Sequence, residues 1–204
     1  MIFKYIRKVC TLMLCAVATL NPALCLARET YVQTSERLAA QAETENLVRA
    51  DLEAELFQLT NAFRKANGKR ALALDDVMLN EARAHALDMM QQGSVGHVAS
   101  TGQDFDARMR ALRGGGMVVM PAMGENAARV SKPGVVDAAM AAQLFQQWVK
   151  SAPHRKALLS RDFVKLAVGA VSKGGQLYAD QIFTGPKVNT NLGQGAAEEG
   201  QGIY

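Results

Sequence analysis

The chain holds three histidines, His85, His97 and His154. Imidazole is the side chain that most readily ligates a metal or moves a proton near neutral pH. His97 and His154 lie far apart in sequence, with Glu125 between them in the tripeptide Gly124-Glu125-Asn126. No HExxH or other closely spaced ligand pair is present, so spacing alone fixes no metal site. If the three converge in a cleft, the two imidazoles could hold a divalent ion such as Zn²⁺, with solvent completing its shell. Glu125 could then ligate directly, orient a histidine from behind, or activate a water as a general base. Nucleophilic catalysis has less support. No elbow motif surrounds any serine, and Ser151, although near His154, reads as a helix cap. His85 sits beside Ala86 in a helical pattern and reads as a partly exposed helix residue without a role.

The first segment decides where this chemistry would operate. Met1 to Ala27 begins with Lys4, Arg7 and Lys8, continues with an apolar run from Val9 to Leu20, and ends at Cys25-Leu26-Ala27. This is the three-part pattern of a secretory signal peptide. The apolar run is shorter than the roughly 20 residues a membrane-spanning helix needs, and Pro22 follows it. Cys15 and Cys25 each follow Leu rather than a small residue, which argues against lipid modification. The expected product is an exported protein, periplasmic or secreted, with no stable membrane span.

Two consequences follow. Cys10, Cys15 and Cys25 all lie in the signal segment, so the mature domain folds without disulfides although export permits them. Three of the 23 basic residues and none of the 19 acidic ones leave with it, so the formal charge falls from +4 to +1. A near-neutral domain gives no reason to expect nucleic acid as a partner.

The elements that would position the histidines follow from periodicity. Residues 28–46 are rich in Ala, Glu, Gln and Thr and read as an exposed, partly helical leader. Leu52, Leu56, Leu59 and Phe63 form a helical stripe that ends near Asn67-Gly68. Leu72 and Leu74 form a short extended link, and Asp75 or Asp76 caps a second helix with Leu79, Ala82, Ala86, Met89 and Met90 on its buried face. A third, short helix carries Phe105, Met109 and Leu112. Ala127 to Val130 suits a short strand, and Val136 to Lys150 a fourth helix facing inward through Met140, Leu144, Phe145 and Trp148. Ser151-Ala152-Pro153 starts a further short helix. Val164 to Ala170 and Leu177 to Phe183 alternate as strands around a Gly174-Gly175 hairpin turn. Residues 186–204 carry almost no large apolar side chain and read as a flexible tail. Helices first and a hairpin last indicate an α+β fold rather than a parallel α/β sheet.

The ordered set of motifs is more specific than any one of them. Asn61-x-x-Arg64, Leu79-x-x-Ala82-x-x-His85-Ala86, Gly96-His97, Phe105-x-x-Arg108, Gly124-Glu125-Asn126, Trp148-x-x-Ser151-x-x-His154-Arg155, Val168-Gly169 and Tyr178-x-x-Gln181-x-Phe183 occur in that order. This string resembles the bacterial branch of the CAP superfamily, also called SCP/TAPS, the fold of cysteine-rich secretory and pathogenesis-related proteins. The resemblance covers roughly 52–185 and places the domain at 47–185. It implies an α–β–α sandwich with a central antiparallel sheet and a cleft lined by a His/Glu/Glu/His tetrad. His97, Glu125 and His154 match three members. Ser151 stands where the second glutamate is expected. The resemblance also implies a binding or interaction module of the cell exterior, taking a lipid-like or peptide ligand, with a metal-assisted hydrolase or protease as the alternative. The apolar stretch Met117 to Met123 is the feature that fits lipid contact. Asn126 and Gln181 are expected to be internal hydrogen-bonding struts, Arg108 and Arg155 loop ties or partners of Glu125, and Trp148 core.

Overall fold

The computed structural model describes residues 29–115 and 121–186. The signal segment up to residue 28 lies outside these residues, as does the tail beyond Pro186. The first described helix, α1 (Tyr31–Thr44), opens with a reciprocal capping box. The Thr30 hydroxyl accepts from the Gln33 amide, and the Gln33 side chain accepts from the Thr30 N–H. This helix corrects the expectation of an exposed leader. Tyr31, Thr34, Ser35, Leu38, Ala39 and Ala42 are buried on one side of it. They pack against α3 (Asp76–Gln92). Small residues hid that face from a reading based on large apolar side chains. Ala39 and Ala42 bury little area each, but they let two helix backbones come close.

The remaining elements are α2 (Ala50–Ala66), β1 (Ala73–Leu74), α4 (Phe105–Leu112), β2 (Met123–Ser131), α5 (Ala138–Lys150), α6 (Ala152–Leu159), β3 (Lys165–Lys173) and β4 (Gln176–Thr184). The sheet order is β1-β3-β4-β2. Strands β3, β4 and β2 are antiparallel neighbours, as expected. The two-residue β1 adds a parallel edge, pairing Ala73 with Lys165 and Leu74 with Leu166. The strand expected at 127–130 extends to nine residues, because Met123 to Asn126 and Ser131 also join the ladder, with Glu125 and Asn126 opposite Ile182 and Gln181.

Side-chain alternation divides this sheet between two helical layers. Ala128, Val130, Leu166, Val168, Ala170, Leu177, Ala179 and Phe183 face a core built with Leu52 and Leu56 of α2 and Leu144, Phe145 and Trp148 of α5. Ala127, Ala167, Val171, Tyr178 and Ile182 face the other way, toward α1, α3 and Met109 of α4. The result is an α–β–α sandwich whose strands are covered on both faces. Gly169 lies on the α3 side. A Cβ there would sit 2.2 Å from the Ala82 carbonyl carbon and 2.3 Å from the Arg83 nitrogen, so the strand and helix backbones touch at this point.

On the α2/α5 face, Asn126 and Gln181 are fully buried struts. Asn126 Nδ2 donates to Gln181 Oε1 at 3.2 Å, and Gln181 Nε2 donates to Thr60 Oγ1 at 2.8 Å. Asn126 Nδ2 also lies 3.3 Å from the His154 carbonyl oxygen, which ties α6 to β2. Ser151 is the N-cap residue of α6 but makes no side-chain cap bond. Its carbonyl accepts from the Arg155 amide instead. Asp75 heads α3 without a side-chain cap bond, because its carboxylate accepts from the Thr184 hydroxyl.

Candidate functional site

Helix α3 fixes the loop that carries His97. The helix ends at Gly93, whose φ of +65° is the left-handed conformation that suits a glycine stop. The chain then folds back along the helix. His85 lies 2.9 Å through Nε2 from the Gly96 carbonyl, and Asp88 accepts from the Ser100 amide at 2.8 Å. Two α3 side chains thus hold the backbone on either side of His97. His85 is buried, not partly exposed as expected. The physical reason is that α3 is covered by the sheet, by α1 and by this loop, so it presents little free surface.

Glu125 rises from β2 on the α3 side of the sheet with only 2% of its side chain exposed. Its Oε2 accepts from His97 Nδ1 at 2.7 Å, and its Oε1 accepts from Arg108 Nη2. His97 is half exposed and turns toward the cleft, where its ring lies 6.5 Å from that of His154, edge to face. His154 is placed by the first turn of α6. Beside it runs a groove of about 460 Å³ lined by Val95, Ala127, Arg129, Gln147, Ser151 and His154. The structure therefore places His97 against Glu125 and its ring beside that of His154, while Ser151 and His154 line the groove.

Behind Glu125 lies a buried charged network. Arg108, at 0% exposure, also donates from Nη1 to Glu81 Oε1 at 2.7 Å. Glu81 accepts from Tyr31 Oη at 2.5 Å and from Ser35 Oγ at 2.6 Å, both on α1. Sequence reasoning gave Arg108 and Arg155 as loop ties or partners of Glu125, and Arg108 is the one that pairs with it. It missed Tyr31, Ser35, Glu81 and Asp180. Asp180 is fully buried on the α3 side of β4, and neither carboxyl oxygen has a hydrogen bond of proper geometry among the described residues. The signal that could have found it was its flanking pair. Tyr178 and Ile182 occupy the same strand face, and two large apolar neighbours mark that face as buried too.

The electrostatics follow from these contacts. Burial works to raise the Glu125 pKa, but the His97 hydrogen bond and the Arg108 charge outweigh it and hold Glu125 ionised. The bond to Glu125 raises the His97 pKa. Burial lowers that of His154, and His97 pushes it the same way. Burial and then Arg108 lower that of His85, which stays neutral. Burial raises the Asp180 pKa, Glu125 adds to the effect, and the Gln181 N–H beside it offers only a weak opposing pull. Burial raises that of Glu81 as well, while Arg108, Ser35 and Tyr31 pull it back.

With His97 Nδ1 committed to a carboxylate, its Nε2 is the nitrogen left for the cleft. A histidine oriented in this way by a buried carboxylate is a common arrangement for a metal ligand. The lipid-contact expectation gains no support. Residues 116–120 lie outside the described residues, and Met123 packs against the cluster of Met78, Ala82, Met109, Ala167 and Ile182. Among the described residues no helix is long and apolar enough to cross a membrane.

Residues 57–185, more than half of the chain, match the family model described as CAP, the cysteine-rich secretory protein family. A curated relative from Bacillus subtilis (strain 168), the uncharacterized protein YkwD, is 30% identical over 123 residues. The match covers 60% of this chain and 43% of YkwD. Among solved structures, an extracellular protein containing an SCP domain from Bacillus anthracis superposes with a TM-score of 0.54 at 26% identity. That match covers 67% of this chain and 41% of the other. An outer surface protein of Borrelia burgdorferi superposes with a TM-score of 0.55 at 16% identity, covering 68% of this chain and 95% of its own, and shares the fold. The chain thus spans less than half the length of the two Bacillus proteins it matches.

Proposed function

Because the chain belongs to the CAP family of cysteine-rich secretory proteins, we propose that it acts as an exported binding module whose His97–Glu125–His154 cleft takes a divalent metal ion, Zn²⁺ by ligand type. Export is supported by the signal-like Met1 to Ala27 segment and by the extracellular and outer-surface descriptions of the two structural neighbours. The observation that carries the metal reading is the facing pair His97 and His154, with Glu125 fixed on Nδ1 of the first.

Two imidazoles and solvent make an open site, with Glu125 behind it as the orienting group. Ser151 in place of a second carboxylate leaves less negative charge at the ion, so affinity is modest. Binding is favoured over hydrolysis because the Glu125 side chain is only 2% exposed, with its oxygens turned to His97 and Arg108 rather than to cleft water. A general base needs an oxygen within reach of a water. The groove beside His154 is the place for a further ligand of the envelope or medium, with a peptide group the better supported of the two expected kinds because the apolar 117–123 stretch lends lipid contact no support.

Calorimetric titration with Zn²⁺ tests the cleft. His154→Ala removes a direct ligand and is expected to weaken binding beyond the about 10–100-fold that loss of an outer-shell partner costs. Ser151→Glu is expected to tighten it. Unchanged affinity in both variants sinks the metal reading. Chelator-sensitive turnover of a peptide and ester panel would favour the hydrolase instead.

A further inference from the structure

On the inner side of Glu125, away from the cleft, three side chains converge. One ring nitrogen of His85, one oxygen of Glu125 and one of Asp180 all lie within 4.8 Å of one another. They come from α3, β2 and β4, so the sheet register and the helix on its face create the group. We propose that His85, Glu125 and Asp180 form a second, buried divalent-cation site, distinct from the cleft pair His97 and His154 and sharing only Glu125 with it.

Two further observations point to an ion there. The first is the state of the ligand atoms. Asp180 is wholly buried, and neither of its oxygens has a hydrogen bond of proper geometry among the described residues, only the weak pull of the Gln181 N–H. His85 is 1% exposed, and with Nε2 committed to the Gly96 carbonyl its Nδ1 likewise has no partner among them. Buried polar atoms left this way are costly. Nε2 is also the ring nitrogen that faces Glu125, 3.9 Å from its Oε1, so an ion bound through it would take the place of the Gly96 contact.

The second observation is charge. Three buried carboxylates, Glu81, Glu125 and Asp180, surround a single buried guanidinium, Arg108. With all three ionised the formal sum is two negative charges in excess, and in the ion-free protein burial and then Glu125 raise the Asp180 pKa and so relieve part of that excess. One divalent cation on Asp180 and Glu125 removes that excess. Arg108 does not compete for the position, because it takes one lone pair of Glu125 Oε1 and a carboxylate offers about four. One imidazole and two carboxylates suit Zn²⁺ or Mn²⁺ better than the softer metals.

The inference adds to the cleft reading but does not depend on it, and Zn²⁺ titration separates the two. The wild type is expected to bind two ions. His154→Ala should bind one and keep a zinc-dependent rise in melting temperature. Asp180→Asn, nearly the same in shape, should also bind one and lose most of that rise, because a buried site is linked to folding more strongly than an open one. If the wild type binds a single ion that His154→Ala removes and Asp180→Asn leaves in place, the buried site is refuted and the cleft stands. A single ion lost in Asp180→Asn and retained in His154→Ala refutes the cleft and upholds the buried site. Should Asp180→Asn fail to fold, X-ray absorption of zinc-loaded His154→Ala decides. One imidazole with oxygen ligands supports the site, and two imidazoles overturn it.

Discussion

Replacing Gly169 with Ala adds one methyl group at the point where α3 rests on the sheet. The new carbon would lie 2.2 Å from the Ala82 carbonyl carbon, 2.3 Å from the Arg83 nitrogen and 2.4 Å from the Ala82 oxygen. All three are backbone atoms, so no side chain can rotate away. The helix must lift by about 1 Å or more to restore normal contact near 3.5 Å. Overpacking of a core costs typically 1–3 kcal/mol, and a clash with backbone on both sides belongs at the top of that range. In a chain of this size about 3 kcal/mol corresponds to a fall in melting temperature of about 6–12 °C. The opposing effect is the reduced freedom of the unfolded chain, which favours Ala over Gly by about 0.4–1 kcal/mol. Gly124→Ala is the internal control, because its new carbon meets the far end of the Phe163 ring at 2.8 Å, and a side chain can shift. Urea denaturation of both variants reads the difference. Because α3 also carries His85 and Glu81, the His97 resonances should move in Gly169→Ala and stay in place in Gly124→Ala. Gly169→Ala as stable as the wild type would refute the close approach.

In histidine NMR, His97 should titrate above the ordinary 6.5 and His154 and His85 below it. The His97–Glu125 pair then contributes stability that is full below pH 6.5 and is lost as pH rises through the His97 value. His85 and His154 act with the opposite sign: stability present above 6.5 falls as acid protonates the unfolded chain first. Glu125→Gln should lower the His97 value, and a His97 titration unmoved by that change would break the assignment. Arg108→Met leaves Glu81 and Glu125 buried without their guanidinium and should cost about 3–5 kcal/mol in chemical denaturation. Adding Glu81→Gln and Glu125→Gln to it should recover most of that loss, and no recovery would mean the cost is packing rather than charge.

Much of the frame was legible because strands β3 and β4 alternate and α5 carries a full apolar stripe. Leu144, Phe145 and Trp148 are as deeply buried as that stripe predicts. Gly96-His97, Gly124-Glu125-Asn126 and His154 were legible through the resemblance, not through spacing, since no local pattern joins residues so far apart. What stayed hidden has one physical origin. An alternating strand is read as one buried face and one wet face, yet this sheet is covered on both. Asp180 lies on the second covered face, between Tyr178 and Ile182, and is among the most buried groups described. The same error treated α1 as a leader, since its contact with α3 runs through Ala39, Ala42, Ser35 and Tyr31 rather than through leucines.

Helix α3 shows how the two halves of that hidden information fit together. Glu81, His85 and Asp88 recur at helical spacing, so they lie along one side of the helix. That stripe is charged or titratable and yet buried. Each member holds a different piece of the site. Glu81 gathers Tyr31 and Ser35 from α1 and passes the pull to Arg108, which grips Glu125. His85 holds the Gly96 carbonyl, and Asp88 holds the Ser100 amide. His97 is thereby fixed from both sides of its loop and from Glu125 beneath. A loop histidine would otherwise lose considerable freedom on binding an ion, and that ordering would subtract from affinity. The polar stripe of α3 removes that loss in advance, which supports the proposed metal site despite the serine in place of one carboxylate.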